Sequence, residues 1–325
     1  MLAGLSSFPK NSFAVLIDAL DATRQWKVAD IQFLGNEKFP EDSLRAVILT
    51  KERPWYRFWE DRPPFDPVTF TTDLERLRRF YEAEGYYGAA VTYDLDPDQE
   101  RELLTIRIKM REGAPVIIAE IDVAVTVRET EPNPPALPDE LPVKRGQVFR
   151  EVEYQQAEQT LRSTFLNGGY AHVQSQRKAE VNVDEQQARL QYGVQPGPVT
   201  FFGETQVKGT QSVDPELILR ELTYEAGEKY SLAKLADSRE KLLALELFGA
   251  VRLAPAETAG MPVVVPMEVE VAEKPHREIR LALGYSTEDQ FRTQLEWRHL
   301  NWLGGGRRLT AQLKYSSILL SGVID

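Results

Sequence analysis

Apolar residues in the first third of the chain repeat at helical spacing and then at strand spacing. The positions i, i+4, i+7 and i+11 place one group on a single helix face: Phe70, Leu74, Leu77 and Tyr81. Thr72 and Glu75 have the spacing of a capping box near the helix start, and Gly85 is suited to end the helix. The pattern predicts a β-α-α-β-β unit with elements at residues 27–33, 41–49, around 70–81, 90–95 and 103–110. The acidic residues Asp94, Asp96 and Asp98 are expected in the turn between the last two strands.

This unit is repeated. Six residues have a counterpart of similar type about 84 residues later. They are Phe70, Leu77, Tyr81, Gly85, Tyr86 and Gly113, matched by Tyr154, Leu161, Phe165, Gly169, Tyr170 and Gly197. A fixed period with the same residue types indicates a structural module used several times, which favours a scaffold or binding surface over one catalytic domain.

The second copy is predicted to have a strand from residue 116, a helix over residues 151–167, and strands at 171–176 and 187–194. A proline-rich insertion, residues 130–135, interrupts it. A looser third copy opens with a strand at residues 199–207. Asp214 followed by Pro215 predicts a helix start, and further elements follow at residues 232–245, 251–254 and 263–272.

After Pro275 the pattern changes to strands with one apolar and one polar face. The predicted apolar face consists of Phe291, Leu295, Trp297, Leu309, Leu313 and Tyr315. Tyr285, Trp302 and Tyr315 suit an aromatic girdle at a membrane interface, and the run from Gly304 to Gly306 suits a turn. This alternation is typical of a transmembrane β-barrel hairpin, but one hairpin of a soluble sheet has the same pattern.

Composition limits the classes of function. The 325 residues carry a formal net charge of −11, which argues against a nucleic-acid partner. There is no cysteine, so disulfides and thiolate sites are excluded. No run of about 18 apolar residues predicts a transmembrane helix. The apolar segment 13–20 is interrupted by Asp18, which favours an amphipathic helix or an irregular start over a signal peptide.

Residues able to carry catalysis are scarce, and the sequence predicts no enzyme, no metal and no cofactor. The three histidines, His172, His276 and His299, have no metal-ligand spacing. There is no nucleophile elbow and no phosphate-binding loop. The acidic run at residues 94–98 lacks the glycine and distal glutamate of an EF-hand loop, so a plain acidic turn is expected there.

One segment rich in aromatic residues stands apart from the repeats. Residues 54–59 read Pro-Trp-Tyr-Arg-Phe-Trp, and the prolines here and at positions 63 and 64 forbid regular structure. The four aromatic residues fit a partner-binding loop, or a connector whose rings pack on their own domain.

The ordered set of these motifs resembles the BamA/TamA-like outer-membrane assembly family. β-α-α-β-β units with Gly-Tyr after the second helix resemble its polypeptide-transport-associated (POTRA) domains. In the third copy, residues 227–231 (Gly-Glu-Lys-Tyr-Ser) with Leu235, Leu242 and Phe248 resemble the last POTRA domain before the barrel. Residues 284–288 (Gly-Tyr-Ser-Thr-Glu) and 304–309 (Gly-Gly-Gly-Arg-Arg-Leu) resemble the first barrel strands, and this resemblance favours the membrane interpretation.

The resemblance implies an α+β fold of tandem POTRA modules followed by the first antiparallel strands of an outer-membrane barrel. The implied domains are an N-terminal segment (1–26), three POTRA modules (27–114, 115–198 and 199–275) and incomplete barrel strands (276–325). A barrel of about 16 strands needs several hundred residues, so a fragment or truncated product is expected.

The implied function is assembly, insertion or translocation of outer-membrane proteins, with the modules in the periplasm. Partners would be unfolded outer-membrane polypeptides, a lipoprotein or inner-membrane protein of the envelope, and outer-membrane lipid. Unfolded polypeptide would add to an open edge strand, the second of each module. The expected edge residues are Ala90, Val91, Thr92, Tyr93 and Asp94, then Ala171, His172, Val173, Gln174 and Ser175. A two-partner-secretion-type transporter and a soluble POTRA scaffold are the alternatives.

Overall fold

The computed structural model describes residues 16–21, 23–127, 136–286, 290–303, 305–316 and 320–324. The proline-rich insertion, Thr287, Glu288, Gly304 and residues 13–15 of the apolar segment 13–20 therefore lie outside the described residues. The chain divides into two compact units: residues 1–123, 141–158 and 177–192, and residues 124–140, 159–176 and 193–325.

The first module has the predicted β-α-α-β-β order. Its elements are β1 (Lys27–Leu34), α1 (Glu41–Val47), α2 (Pro67–Ala83), β2 (Ala90–Asp98) and β3 (Leu103–Arg111). The sheet order is β1-β3-β2, with β1 parallel and β2 antiparallel to the central strand β3. Phe70, Leu77 and Tyr81 are buried in the core, as their spacing predicts. The Tyr81 hydroxyl donates to Glu112 Oε1 (2.9 Å), which ties the end of α2 to the residue after β3.

Two local predictions for this module were wrong. Helix α2 begins at Pro67, where Asp66 caps the N–H groups of Val68 and Thr69, so Thr72 is not the cap. An aspartate followed by proline gives an earlier start than the capping-box spacing. Asp94, Asp96 and Asp98 belong to β2 and not to a turn. Asp94 forms an ion pair with Lys109, and Asp96 with Arg107 (2.8 Å), across the paired strands, which stabilises the longer strand.

Asp73 is a buried carboxylate that joins α2 to the segment after α1. Its oxygens accept from the N–H groups of Leu49 (2.9 Å) and Thr50 (2.8 Å), from the Thr50 hydroxyl, and from Arg76. Burial would raise the pKa of Asp73, but the donors of Leu49, Thr50 and Arg76 outweigh it and lower the pKa. The side chain therefore remains charged in the core.

Asp73→Asn should lower the free energy of unfolding of the first module by about 2 kcal/mol, because the amide cannot satisfy all four donors. Because the folded-state pKa is depressed, the stabilisation is present at neutral pH and is lost as the pH falls through that value. Urea unfolding at neutral pH would measure the difference. Glu75→Gln, an exposed position on the same helix, is the control, and equal effects at both positions would contradict the role assigned to Asp73.

The second module contains one helix among its described residues. Its elements are β4 (Ile117–Val125), α3 (Glu151–Asn167), β5 (Gln174–Asn182) and β6 (Gln187–Gln195), with the sheet order β4-β6-β5. Tyr154, Leu161 and Phe165 are buried, as predicted. The segment from residue 136 to residue 148 forms no regular helix, and prolines at positions 138 and 142 disfavour one.

The third module again has two helices. Its elements are β7 (Phe201–Lys208), α4 (Pro215–Arg220), α5 (Leu232–Ala244), β8 (Phe248–Pro255) and β9 (Val264–Glu273), with the sheet order β7-β9-β8. Asp214 caps α4 by accepting from the Glu216 N–H, which confirms the predicted start. The last described part is an antiparallel sheet of β10 (Arg277–Ser286), β11 (Gln290–His299), β12 (Leu309–Ser316) and β13 (Leu320–Ile324), paired in chain order.

Glu273, the last residue of β9, organises the junction between the third module and the four-stranded sheet. It accepts from the N–H groups of Gln211 (2.7 Å) and Val213 (3.0 Å) and from the N–H and hydroxyl of Ser212. The Ser212 carbonyl in turn accepts from the side-chain amide of Asn301 (3.0 Å), in the loop after β11. This loop also places Leu300 in the apolar core of the third module.

Candidate peptide-binding edges

In the first module, the chain itself covers the outer edge of β1. The Val28 N–H donates to the Pro63 carbonyl (2.9 Å), and the Phe65 N–H donates to the Trp26 carbonyl (2.7 Å). Further along, the Ile31 N–H donates to Glu52 Oε2 (2.7 Å) and the Ile31 carbonyl accepts from Arg45 (2.6 Å). The Trp26 carbonyl, the Val28 N–H and both backbone groups of Ile31 are thus already hydrogen-bonded on this side of β1.

The second and third modules close the same edge in the same way. The Ile118 N–H donates to the Gln147 carbonyl (2.8 Å) beside β4. The Phe202 N–H donates to the Glu228 carbonyl (2.8 Å), and the Tyr230 N–H donates to the Thr200 carbonyl (3.0 Å), beside β7. In each module the segment before the long helix closes the first strand. The second strand, at the opposite edge of each sheet order, is left as the available edge.

Along β2, every second residue directs its backbone N–H and C=O groups away from β3, and these residues are called the outward set. The Lys27 N–H donates to the Glu102 carbonyl (3.0 Å), so the even-numbered backbone groups of β3 face β1 and the odd-numbered groups face β2. In the β2–β3 register the odd-numbered residues of β3 lie opposite even-numbered residues of β2. The outward N–H and C=O groups of β2 therefore belong to Val91, Tyr93 and Leu95.

Pro97 belongs to this outward set, so its missing N–H costs no bond to β3. The side chains of the outward set point to the helices: Leu95 is buried and the Tyr93 ring packs edge-on against Phe70 at 5.2 Å. Thr92 and Asp94 lie on the solvent face. The predicted residues 90–94 are thus all on an edge strand, with their role in peptide binding still a prediction.

The residues of the second predicted edge lie only in part on a strand. Gln174 and Ser175 lie on β5, but Ala171, His172 and Val173 form a turn before it, so the predicted strand start was wrong. The physical reason is that this turn is used in the contact with the third module.

Thr200 and Pro262 hold that turn. Thr200 Oγ1 accepts from the Ala171 N–H (3.0 Å) and donates to the Gly169 carbonyl (2.8 Å). The His172 ring lies 2.9 Å from the Pro262 carbonyl oxygen. These contacts are made by residues far along the chain, so the local apolar pattern could not indicate them.

The third edge strand is in part occupied. Arg239, on α5, donates to the Val251 carbonyl of β8 (3.1 Å). This bond uses hydrogen-bonding capacity that a peptide would need, and so β2 and β5 are the better candidates.

The four-stranded sheet gathers the predicted apolar positions on one face. The register pairs Leu295 with Leu313 and Trp297 with Ala311, so alternate residues of β11 and β12 share a face. Phe291, Leu309 and Tyr315 belong to the same alternate set. Strand β10 adds four residues to this face: Tyr285, which was predicted for the aromatic girdle, and three whose alternation could also have identified them. They are Ile279, Leu281, Leu283 and Tyr285, exposed by 72%, 63%, 65% and 78%.

Other kinds of site have little support among the described residues. Within the ranges given above, no three His, Cys, Asp or Glu side chains are grouped to hold a metal ion. Over the same ranges, no helix is both long and apolar enough to cross a membrane.

Comparison with known proteins indicates the type of module. The POTRA family model, described as a surface antigen variable number repeat, matches residues 26–113. The chain is 22% identical over 310 residues to outer membrane protein assembly factor BamA of Neisseria meningitidis, covering 94% of this chain and 38% of the relative. It is 24% identical over 306 residues to a putative outer membrane protein assembly factor of Treponema pallidum, covering 90% and 35%. The chain thus spans somewhat over a third of the length of these relatives.

Solved structures support the fold. The crystal structure of Haemophilus influenzae BamA POTRA3-5 matches with a TM-score of 0.50 at 16% identity, over 77% of this chain and 97% of that structure. BamA from Haemophilus ducreyi lacking POTRA domains 1–3 matches with a TM-score of 0.51 at 15% identity, over 62% and 37%. These similarities support the POTRA-type architecture of the modules.

Proposed function

We propose, from the premise that these modules form a POTRA region of the BamA/Omp85-like family, that the chain serves outer-membrane protein assembly, insertion or translocation. Its modules bind unfolded outer-membrane polypeptide in the periplasm and guide it toward the membrane. Binding occurs by addition of an extended segment to β2 and β5. A lipoprotein or inner-membrane protein of the envelope completes the assembly. The domain limits 27–114, 115–198, 199–275 and 276–325 are part of this proposal.

The repeated asymmetry of the sheet edges carries the proposal. In three modules the chain closes the first strand and leaves the second at the edge. An extended peptide gains main-chain hydrogen bonds at such an edge with little demand on its sequence, which suits a factor that handles many polypeptides. Ion pairs on the solvent face, such as Asp96 with Arg107, favour solubility of the edge when it is empty.

The second part of the proposal places the four-stranded sheet in the outer membrane as the first strands of a barrel. Its apolar face would contact lipid through Phe291, Leu295, Trp297, Leu309, Leu313 and Tyr315. The opposite face carries Glu296, Arg298 and Lys314, consistent with the polar interior of outer-membrane barrels. Fractionation of the native gene product tests this placement. Recovery as a soluble periplasmic protein would favour the scaffold alternative.

Leu313→Arg should strongly reduce membrane integration of the native gene product, since a charge on a lipid-facing strand costs about 2 kcal/mol or more near the bilayer centre. Gln312→Arg is the matched control, because it is the neighbouring residue on the opposite face, across from Glu296. Two measurements would show the difference. One is the fraction of the protein that stays in cell envelopes after urea extraction, and the other is the folded fraction of unheated samples in gel electrophoresis. Equal loss in both variants would contradict a lipid-facing role for Leu313.

A further inference from the structure

Residues 54–59, here called the aromatic loop, expose all four of their rings. Trp55 is 89% exposed, Tyr56 53%, Phe58 73% and Trp59 70%. The expectation that these rings pack on their own domain was wrong. Among the residues that the structure describes, the ring pairs of this loop join sequence neighbours: Trp55 with Tyr56 at 6.0 Å and Phe58 with Trp59 at 5.1 Å between centroids. Contiguous exposed rings of this kind mark an interaction site.

The exposure is built into the loop. A 3₁₀ turn over Trp55–Arg57 is closed by the Arg57 N–H donating to the Pro54 carbonyl (3.0 Å). Arg53 donates to the carbonyls of Phe58 (3.0 Å) and Glu60 (2.8 Å) from inside the loop. The rings are therefore displayed on an ordered backbone, so that binding need not first order the loop.

Several charged side chains next to the aromatic loop bond to other parts of the first module or within the loop. Lys51 donates to the carbonyls of Arg45 (3.0 Å) and Ile48 (2.8 Å), and Arg62 donates to the Ala29 carbonyl (2.6 Å). Arg57 forms an ion pair with Glu60 (3.5 Å). The surface that the loop presents to a partner is thus mainly aromatic and carries few unpaired charges.

We propose that the aromatic loop inserts into the interfacial layer of a phospholipid bilayer. Tryptophan and tyrosine rings are favoured there because one part of the ring is apolar and the other part can bond water and headgroups. A specific protein partner would add a polar rim or strand pairing, and the prolines flanking this loop leave little backbone for pairing. The inference rests on the proposed function in one respect, since it requires a chain that works at a membrane.

The full chain with Trp297→Phe and Trp302→Phe tests this insertion, because Trp26, Trp55 and Trp59 then supply the fluorescence. Vesicles of phosphatidylcholine and phosphatidylglycerol, prepared with brominated acyl chains, quench tryptophans that reach the interface. We expect quenching of about half the signal, persisting at high salt where ionic contacts are screened. Adding Trp55→Ser and Trp59→Ser should remove the quenching, since the remaining Trp26 is buried.

The control is Leu49→Ser with Val68→Ser, which removes two other exposed apolar side chains of the first module and should leave quenching unchanged. A chain that floats with vesicles while Trp55 and Trp59 stay unquenched would overturn this inference and leave the proposed function standing. A chain that neither floats nor is quenched would count against both. Crosslinking of Tyr56 to an envelope protein, without lipid quenching, would assign the loop to a protein partner and overturn the inference.

Discussion

Val91→Pro should weaken binding of an unfolded outer-membrane polypeptide to the first module by about tenfold. Val91 belongs to the outward set of β2, so proline there removes an N–H that a peptide would use and leaves the bonds to β3 intact. The ring also occupies the space into which an added strand must approach, which weakens the neighbouring bonds. Fluorescence anisotropy of a labelled unfolded polypeptide would measure the affinity.

Two controls separate the backbone effect from other causes. Val91→Ala shortens the side chain and keeps the N–H, so binding should change little. Thr92→Pro removes an N–H that faces β3, so it should destabilise the module itself, visible in circular dichroism. Binding by Val91→Pro at the level of the native chain, with the fold intact, would remove β2 from the proposed site.

Glu273→Ala should lower the free energy of unfolding of the third module by about 3 kcal/mol at neutral pH. Burial would raise the pKa of Glu273, but the hydroxyl of Ser212 and the N–H groups of residues 211–213 outweigh it and lower the pKa to about 2. The stabilisation is therefore fully present above the ordinary value of 4.5 and is lost as the pH falls toward 2. Urea unfolding at neutral and acid pH would show native and variant chains converging as the pH falls.

The same substitution should loosen the junction with the four-stranded sheet. Without Glu273 the loop at residues 211–213 loses its acceptor, and the Ser212 carbonyl that receives Asn301 is no longer fixed. Faster hydrogen exchange at Asn301 and Gly306 is expected, because Asn301 Oδ1 accepts from the Gly306 N–H. Glu270→Ala, an exposed position on the same strand, is the control. A variant as stable as native at neutral pH would contradict this role.

The helices and strands with a strong apolar period were predictable from the sequence. The stripe from Phe70 to Tyr81 and the helix over residues 151–167 are confirmed, because burial of one face fixes their type. The starts of α2 and β5 were wrong for physical reasons that act outside that period. Asp66 supplies an earlier cap, and Thr200 holds Ala171 in a turn.

The sequence predicts that the candidate site is a strand. It does not predict that one edge of the sheet is closed by the chain while the other edge stays open. Closure of β1 depends on Pro63 and Glu52, which lie in a segment with no apolar period, and on the side chain of Arg45 in α1. The exposure of Trp55 likewise depends on the hydrogen bonds from Arg53 to the Phe58 and Glu60 carbonyls. The composition of the segment does not predict these bonds. The apolar face of β10 was predictable from the sequence, because Ile279, Leu281 and Leu283 occupy alternate positions as clearly as the apolar residues of β11 do.

Photo-crosslinking along opposite edges of the same sheet tests the central claim most directly. A photoreactive residue at Thr92 on β2 and one at Gln32 on β1 are both on strands of the first sheet, one at the open edge and one at the closed edge. The account predicts crosslinks to an unfolded outer-membrane polypeptide from Thr92 and few from Gln32, with competition by unlabelled polypeptide. Equal crosslinking from both positions, or crosslinking from Gln32 alone, would contradict it.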